Sequence, residues 1–130
     1  AVQYARERVQ FERKIISFQA VQHMLADMAT EIEAARALVY SVARFIDSGP
    51  RDFSKVSGMT KLFASDVAMR VTIDAVQVFG GYGFMREYPV EKMMRDAKIL
   101  QIYEGTNQIQ RNVIGQELIR ESASKKKVGN

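Results

Sequence analysis

At 130 residues, with 47% hydrophobic and 26% charged side chains and only two prolines, the chain carries enough apolar material for one packed domain. It has no cysteine and a single histidine, which excludes disulfides, thiolate metal sites and a histidine metal cluster. Of the formal net charge of +4, Lys125, Lys126 and Lys127 supply most; along the rest, Arg and Lys alternate with Glu and Asp, unlike the one-sided basic stripe of a nucleic-acid domain.

The opening AVQYARERVQFERK is charged and reads as a short helix over residues 1–11, without the apolar run of a signal peptide. No apolar stretch approaches the roughly 18 residues that span a bilayer. The expectation is a protein off the membrane, in a bacterial cytoplasm or a mitochondrial matrix.

Phe18, Val21, Leu25, Met28, Ile32, Ala35, Val39, Val42 and Ile46 recur at alternating spacings of three and four, which predicts a long amphipathic helix over about 18–47. Ser17 is placed to cap its start, and Ser48-Gly49-Pro50 to stop it, since glycine accepts a left-handed cap and proline cannot continue a helix. Ser54 is expected to cap a second helix. There Met59, Leu62, Phe63, Val67, Met69, Val71, Ile73 and Val76 cover more than one face, the pattern of a helix buried on several sides. Pro89 opens a shorter helix to about Lys98, and Thr106 or Asn107 caps another to about Glu121. No segment alternates with period two over a useful length. The fold class is therefore all-α, an antiparallel bundle of about four helices over residues 1–124, with residues 125–130 as a disordered basic tail.

Three local features could carry chemistry. Gly80-Gly81-Tyr82-Gly83 ends the second long helix, where glycines ordinarily serve as a C-cap and tight turn; they also let a backbone approach a pyrophosphate, although this is not the strand-linked motif of a dinucleotide fold. Tyr103-Glu104-Gly105-Thr106 lies just before a helix start. A carboxylate there can simply favour the helix dipole, or, if buried, act as a general base with the glycine leaving room for a substrate. Arg8 suits phosphate recognition through its planar guanidinium, though surface arginines are common. His23 falls off the apolar stripe and reads as exposed, and Met93-Met94 as core or interface filler.

Together and in this order, these features resemble the carboxy-terminal domain of the acyl-CoA dehydrogenase family. The resemblance rests on QVFGGYGFMREYPVEKMMRDAKILQIYEGTNQIQRNVI, Gln77 to Ile114, and on RVQF followed by FQAVQHMLADM. It implies that Glu104 is the base that removes the substrate α-proton, with Tyr103 and Gly105 beside the acyl group. It implies FAD as cofactor, with Arg8, Gln10, Phe11 and Gln19 reaching its pyrophosphate and adenine portion. Gln77 and Gly81 would contact the cofactor of a neighbouring subunit, and Thr106 and Gln108 the FAD beside Glu104.

The partners implied are an acyl-CoA thioester, an electron-transfer flavoprotein and a second copy, as homodimer or homotetramer. Family chains are usually several-fold longer, with an amino-terminal helical domain and a central β-domain ahead of this one. They also commonly place a glycine where Glu12 follows Phe11. Two other readings remain open: a catalytically inactive helical assembly module, and a fragment of an acyl-CoA oxidase.

Overall fold

The computed structural model describes the backbone of residues 1–128 and the side chains of residues 1–124. Six helices account for most of it. They are α1 (Val2–Glu7), α2 (Gln19–Asp47), α3 (Ser54–Phe79), the single turn α4 (Gly81–Phe84), α5 (Val90–Leu100) and α6 (Asn107–Val128). At 26 residues, α3 is about 39 Å long and is the element against which α2, α5 and α6 all pack. This is why its apolar residues leave no single stripe.

Each neighbour runs antiparallel to α3. Glu31 of α2 meets Arg70, while Met28 shares a cluster with Val78. Gln101, just past α5, donates to Asp66, while Tyr88, ahead of α5, packs on Phe79. Asn107 of α6 meets Ser65, and Glu121 pairs with Lys55. The expected bundle is therefore the observed one.

The core gathers near the C-terminal end of α3, where Ala5, Met28 and Val78 are buried and Ile15, Ile16, Val21, Leu25, Val71 and Ala75 pack around them. No large side chain among the described residues is fully buried. Ile32 and Val39, on the predicted stripe of α2, are exposed, as are Phe63 and Ile73 of α3. Since burial of each such side chain is worth about 1.5–3 kcal/mol, much of the apolar surface written into these helices is left unused by the chain itself.

Several expected boundaries move. The opening helix stops at Glu7, and residues 8–14 turn back as a two-residue antiparallel ladder, β1 (Val9–Gln10) with β2 (Arg13–Lys14). Phe11 and Glu12 form its two-residue turn, with φ of +50° and +64°. A turn of this hand matches strand twist but calls for left-handed backbone at both positions. Glu12 thus adopts the conformation a glycine would take freely.

Ser17 does not cap α2; its hydroxyl donates to the Lys14 carbonyl, and Phe18 is the cap residue. Ser54 is the first residue of α3 rather than its cap, and Asp52 accepts its N–H at 2.9 Å. Gly49 ends α2 with φ +74°, as expected, and Pro89 sits at the start of α5. The α6 helix continues past Glu121 to Val128; residues 129 and 130 of the expected tail lie outside the described residues.

Candidate functional site

The candidate residues assemble at two places along α3. At its C-terminal end, Gly80 closes the helix with φ +61°, donating its N–H to the carbonyls of Val76 and Gln77. The chain then folds back so tightly that a Cβ on Gly83 would lie 2.5 Å from the Val76 oxygen and 2.8 Å from Phe79 Cβ. Gly83 is a glycine because the chain itself leaves no space. Gly81 differs: a Cβ there would meet nothing within 4 Å. Its bare backbone and the exposed Gln77 face outward.

Aromatic rings brace this turn. Tyr4 stacks on Phe79 at 4.1 Å between centroids and donates its hydroxyl to the Phe79 carbonyl, and Tyr88 meets Tyr4, Phe79 and Tyr82. Burial pushes the Tyr4 phenol above its ordinary pKa. The Arg8 guanidinium lies 4.8 Å from the centre of the Tyr82 ring, a cation–π contact that brings the RVQF segment beside Gly81. Arg8 is thus brought beside the Gly81-Tyr82 step, shortly after Gln77 in the chain. Gln10 and Phe11 stand at the hairpin tip, Phe11 86% exposed, and Gln19 opens α2 with its side chain exposed.

The second place is near the N-terminal half of α3, where the Tyr103–Gly105 turn packs beside Lys61 and Ser65. Glu104 has φ +52° and Gly105 φ +87°. Left-handed backbone costs a non-glycine residue about 1–2 kcal/mol, so the surroundings must hold it there. Lys61 donates to the Gly105 carbonyl at 2.8 Å and to Asn107 Oδ1 at 2.7 Å. Gln110 Nε2 donates to the Glu104 carbonyl at 3.2 Å.

Asn107, 3% exposed, donates to Ser65 Oγ and to Asp66, which also accepts from Gln101 and Arg111. Among the described residues no buried side-chain polar atom lacks a partner. Burial pushes the Lys61 ammonium below its ordinary pKa, with Asp66 pulling it back. Thr106 caps α6, accepting the Ile109 N–H at 3.2 Å.

Two cavities flank this turn. One, of about 380 Å³, is lined by Lys61, Ala64, Ser65, Leu100, Tyr103 and Glu104 and is mostly apolar. The other, of about 360 Å³, is polar and includes Thr106, Gln108, Lys98 and Arg111. A third, of about 630 Å³ around Phe84 and Arg95, touches none of the candidate residues. Glu104 is exposed, so the burial expected of a general base is not supplied by this chain.

Lys61, Ser65, Asp66, Gln101 and Gln110 were not among the residues expected from sequence, and Asn107 was expected only as a cap. Lys61 and Ser65 stand one helical turn apart on α3, but that helix also carries Lys55, Asp66, Arg70 and Asp74, so no spacing in the sequence singles them out. Among the described residues no cluster of three or more His, Cys, Asp or Glu is placed to hold a metal, and no helix is long and apolar enough to cross a membrane.

The family model for the acyl-CoA dehydrogenase C-terminal domain matches residues 1–119. The chain belongs to the acyl-CoA dehydrogenase family. It is 53% identical over 122 residues to cyclohexane-1-carbonyl-CoA dehydrogenase of Geobacter metallireducens, covering 94% of this chain and 32% of that protein.

The structure of butyryl-CoA dehydrogenase from Megasphaera elsdenii superposes with a TM-score of 0.87 at 52% identity, over 91% of this chain and 30% of the other. A chain in the structure of the electron transferring flavoprotein of Acidaminococcus fermentans also matches, with a TM-score of 0.87 at 58% identity, over 92% of this chain and 31% of that one. The acyl-CoA dehydrogenase domain described here thus spans about a third of the length of these relatives.

Proposed function

We propose that this chain is the C-terminal domain of an FAD-dependent dehydrogenase of acyl-CoA thioesters, with Glu104 as the base that takes the α-proton. The observation that carries the reading is the Glu104 turn. A carboxylate on left-handed backbone, braced from both sides by Lys61 and Gln110, stands at the rim of an apolar cavity of about 380 Å³. Strain of this kind is kept where it fixes a working side chain.

The residues present fit the proposed cofactor. Gly81 has open space where a Cβ would be, Arg8 is held beside it by Tyr82, and Gln10, Phe11 and Gln77 are exposed. Arg8, Gln10, Phe11 and Gln19 would hold its pyrophosphate and adenine portion, and Gln77 and Gly81 would contact the cofactor of a neighbouring subunit. Thr106 and Gln108, on the polar cavity beside Glu104, would meet the flavin side. Bound FAD would supply the hydride acceptor for the β-carbon.

On this reading the Glu104 carboxylate takes the α-proton while its own N–H helps to hold the thioester carbonyl, so that developing enolate charge is met by a fixed donor. Tyr103 and Leu100 flank the acyl chain and exclude water. Gln77 lies about 24 Å along α3 from Lys61, counting sixteen residues of helix. The two places lie well apart on one chain, and Ile32, Val39, Phe63 and Ile73 are left exposed, which supports self-association into a dimer or tetramer in which each chain serves two cofactors. The match to a chain in an electron transferring flavoprotein structure supports that flavoprotein as the electron acceptor.

The test is Glu104→Gln in the full-length gene product, which keeps shape and hydrogen bonding but loses the basic lone pair. FAD and acyl-CoA remain bound, and substrate-driven bleaching of the flavin absorbance in anaerobic stopped flow slows at least about a hundredfold. Bleaching at the parental rate would place the base elsewhere. Rapid reoxidation by air in the parental enzyme, rather than by the flavoprotein, would turn the reading to an oxidase.

A further inference from the structure

The Tyr103–Gly105 turn is held by few groups. Two successive residues, Glu104 and Gly105, have positive φ, and neither the preceding α5 nor the following α6 imposes that conformation. The two carbonyls that follow these residues are the handles. Gln110 reaches the Glu104 carbonyl from α6, and Lys61 reaches the Gly105 carbonyl from α3.

Gln110 is seated by glycines on either side, since a Cβ on Gly105 would lie 2.8 Å from its Nε2 and one on Gly58 3.2 Å from its Oε1. Lys61 is seated by Asn107, whose own amide is pinned by Ser65 and Asp66. Of the two, only Lys61 belongs to α3, the helix on which every other major helix packs. It is therefore the group that ties the turn to the body of the domain rather than to the neighbouring start of α6.

We infer that Lys61 is a positioning residue: its hydrogen bond to the Gly105 carbonyl, backed by Asn107, Ser65 and Asp66, sets the direction in which Glu104 points. It touches no reacting atom on this account and acts only through the turn. The side chain also lines the apolar cavity beside Tyr103 and Glu104, so its stem forms wall while its ammonium holds the backbone. The inference rests on the reading of Glu104 as the base, and its test separates the two.

Lys61→Met removes the donor with little change of volume. Lys61→Gln is the second variant, because it keeps a polar side chain at this position while its shorter reach withdraws the donor from both the Gly105 carbonyl and Asn107, so the proposal is still tested if the first variant misfolds. In the full-length gene product, amide hydrogen exchange over residues 101–107 rises at least about tenfold in the variant, while α2 and residues 1–18 exchange as in the parent. Flavin bleaching by acyl-CoA slows at least about tenfold with FAD retained. In a Glu104→Gln background the same substitution slows it by less than about twofold, because a residue acting through Glu104 adds nothing once the base is gone.

Unchanged exchange over 101–107 overturns the inference whatever Glu104 does. A full additional slowing in the Glu104→Gln background also overturns it, since Lys61 then acts on the reaction directly. If Glu104→Gln is itself as fast as the parent while exchange still rises, the base has been misassigned. Lys61 then holds the turn without positioning a base.

Discussion

The two ends of the working stretch of α3 are built in opposite ways. At the Gly80–Gly83 end the backbone is shaped by what is missing: a helix cap with φ +61°, a glycine with no space for a Cβ, and stacked rings that fill the volume around them. At the Glu104 end it is shaped by donors and acceptors, with Lys61, Asn107, Ser65 and Asp66 satisfying one another around a strained turn. An apolar turn is sensitive to added volume, because packed interiors resist even one methylene. A polar turn is sensitive to a lost partner, because the group left behind stays buried and unpaired.

The largest effect should come from volume. Gly83→Ala puts a methyl 2.5 Å from the Val76 oxygen, a backbone atom that cannot swing aside, and should cost about 3 kcal/mol in urea unfolding. A loss under about 0.5 kcal/mol would erase the contrast between the two ends. Next is removal of a polar partner. Asn107→Leu leaves Ser65, Asp66 and Lys61 short of their shared amide and should cost roughly 2 kcal/mol, with faster amide exchange over 101–107 and none around Tyr4 and Phe79. Exchange that rises equally at both ends would show one cooperative unit instead of two.

Gly81→Ala sharpens the comparison within one turn. Its Cβ meets nothing, so stability should stay within about 0.5 kcal/mol of the parent, whereas FAD retention by the full-length product should weaken at least about tenfold. Unaltered FAD affinity would remove Gly81 from the cofactor site.

The smallest effect is electrostatic and lies at the N-terminus of α3. Asp52 accepts the Ser54 N–H and pairs with Arg120, which hold its carboxyl down at about 2. A carboxyl with a depressed folded pKa stabilises the fold above its ordinary value of 3.8, and that contribution is lost as pH falls from there through about 2. The melting temperature of Asp52→Asn should lie below the parent at neutral pH and converge with it as pH falls from about 4 to about 2. A gap that persists at pH 2 would mean that the carboxylate charge is not what matters.

Much of the fold was legible because it is periodic. The stripe from Phe18 to Ile46 and the multi-sided apolar pattern of α3 both predict where those helices pack, and Gly49 and Gly80 end them as glycines should. The hairpin at residues 9–14 was not legible, since a two-residue ladder shows no alternation and its turn uses Phe11-Glu12 where Asn-Gly would have announced it. Ser17 and Ser54 misled because a serine before a helix is only a candidate cap: one hydroxyl found the Lys14 carbonyl first, and Asp52 reached the N–H of the other.

Of the candidate site, Glu104 stood out by its place before α6, and Arg8 does reach the turn that carries Gly81, through Tyr82. The network behind Glu104 did not stand out, because Lys61 and Ser65 meet Asn107 across more than forty residues of sequence. Glu104 itself is exposed, so the burial expected of it from sequence is not found among the described residues.

The pair Gly81 and Gly83 also says how variation in this turn should be read. Position 83 is held to glycine by the chain's own packing, so any descendant that keeps the fold must keep it, whatever it binds. Position 81 carries no such demand, and a side chain there is free to accumulate once nothing approaches from outside. On the proposed reading of Gly81 as a cofactor contact, a relative that retains the second glycine but has replaced the first would be a helical domain released from its ligand.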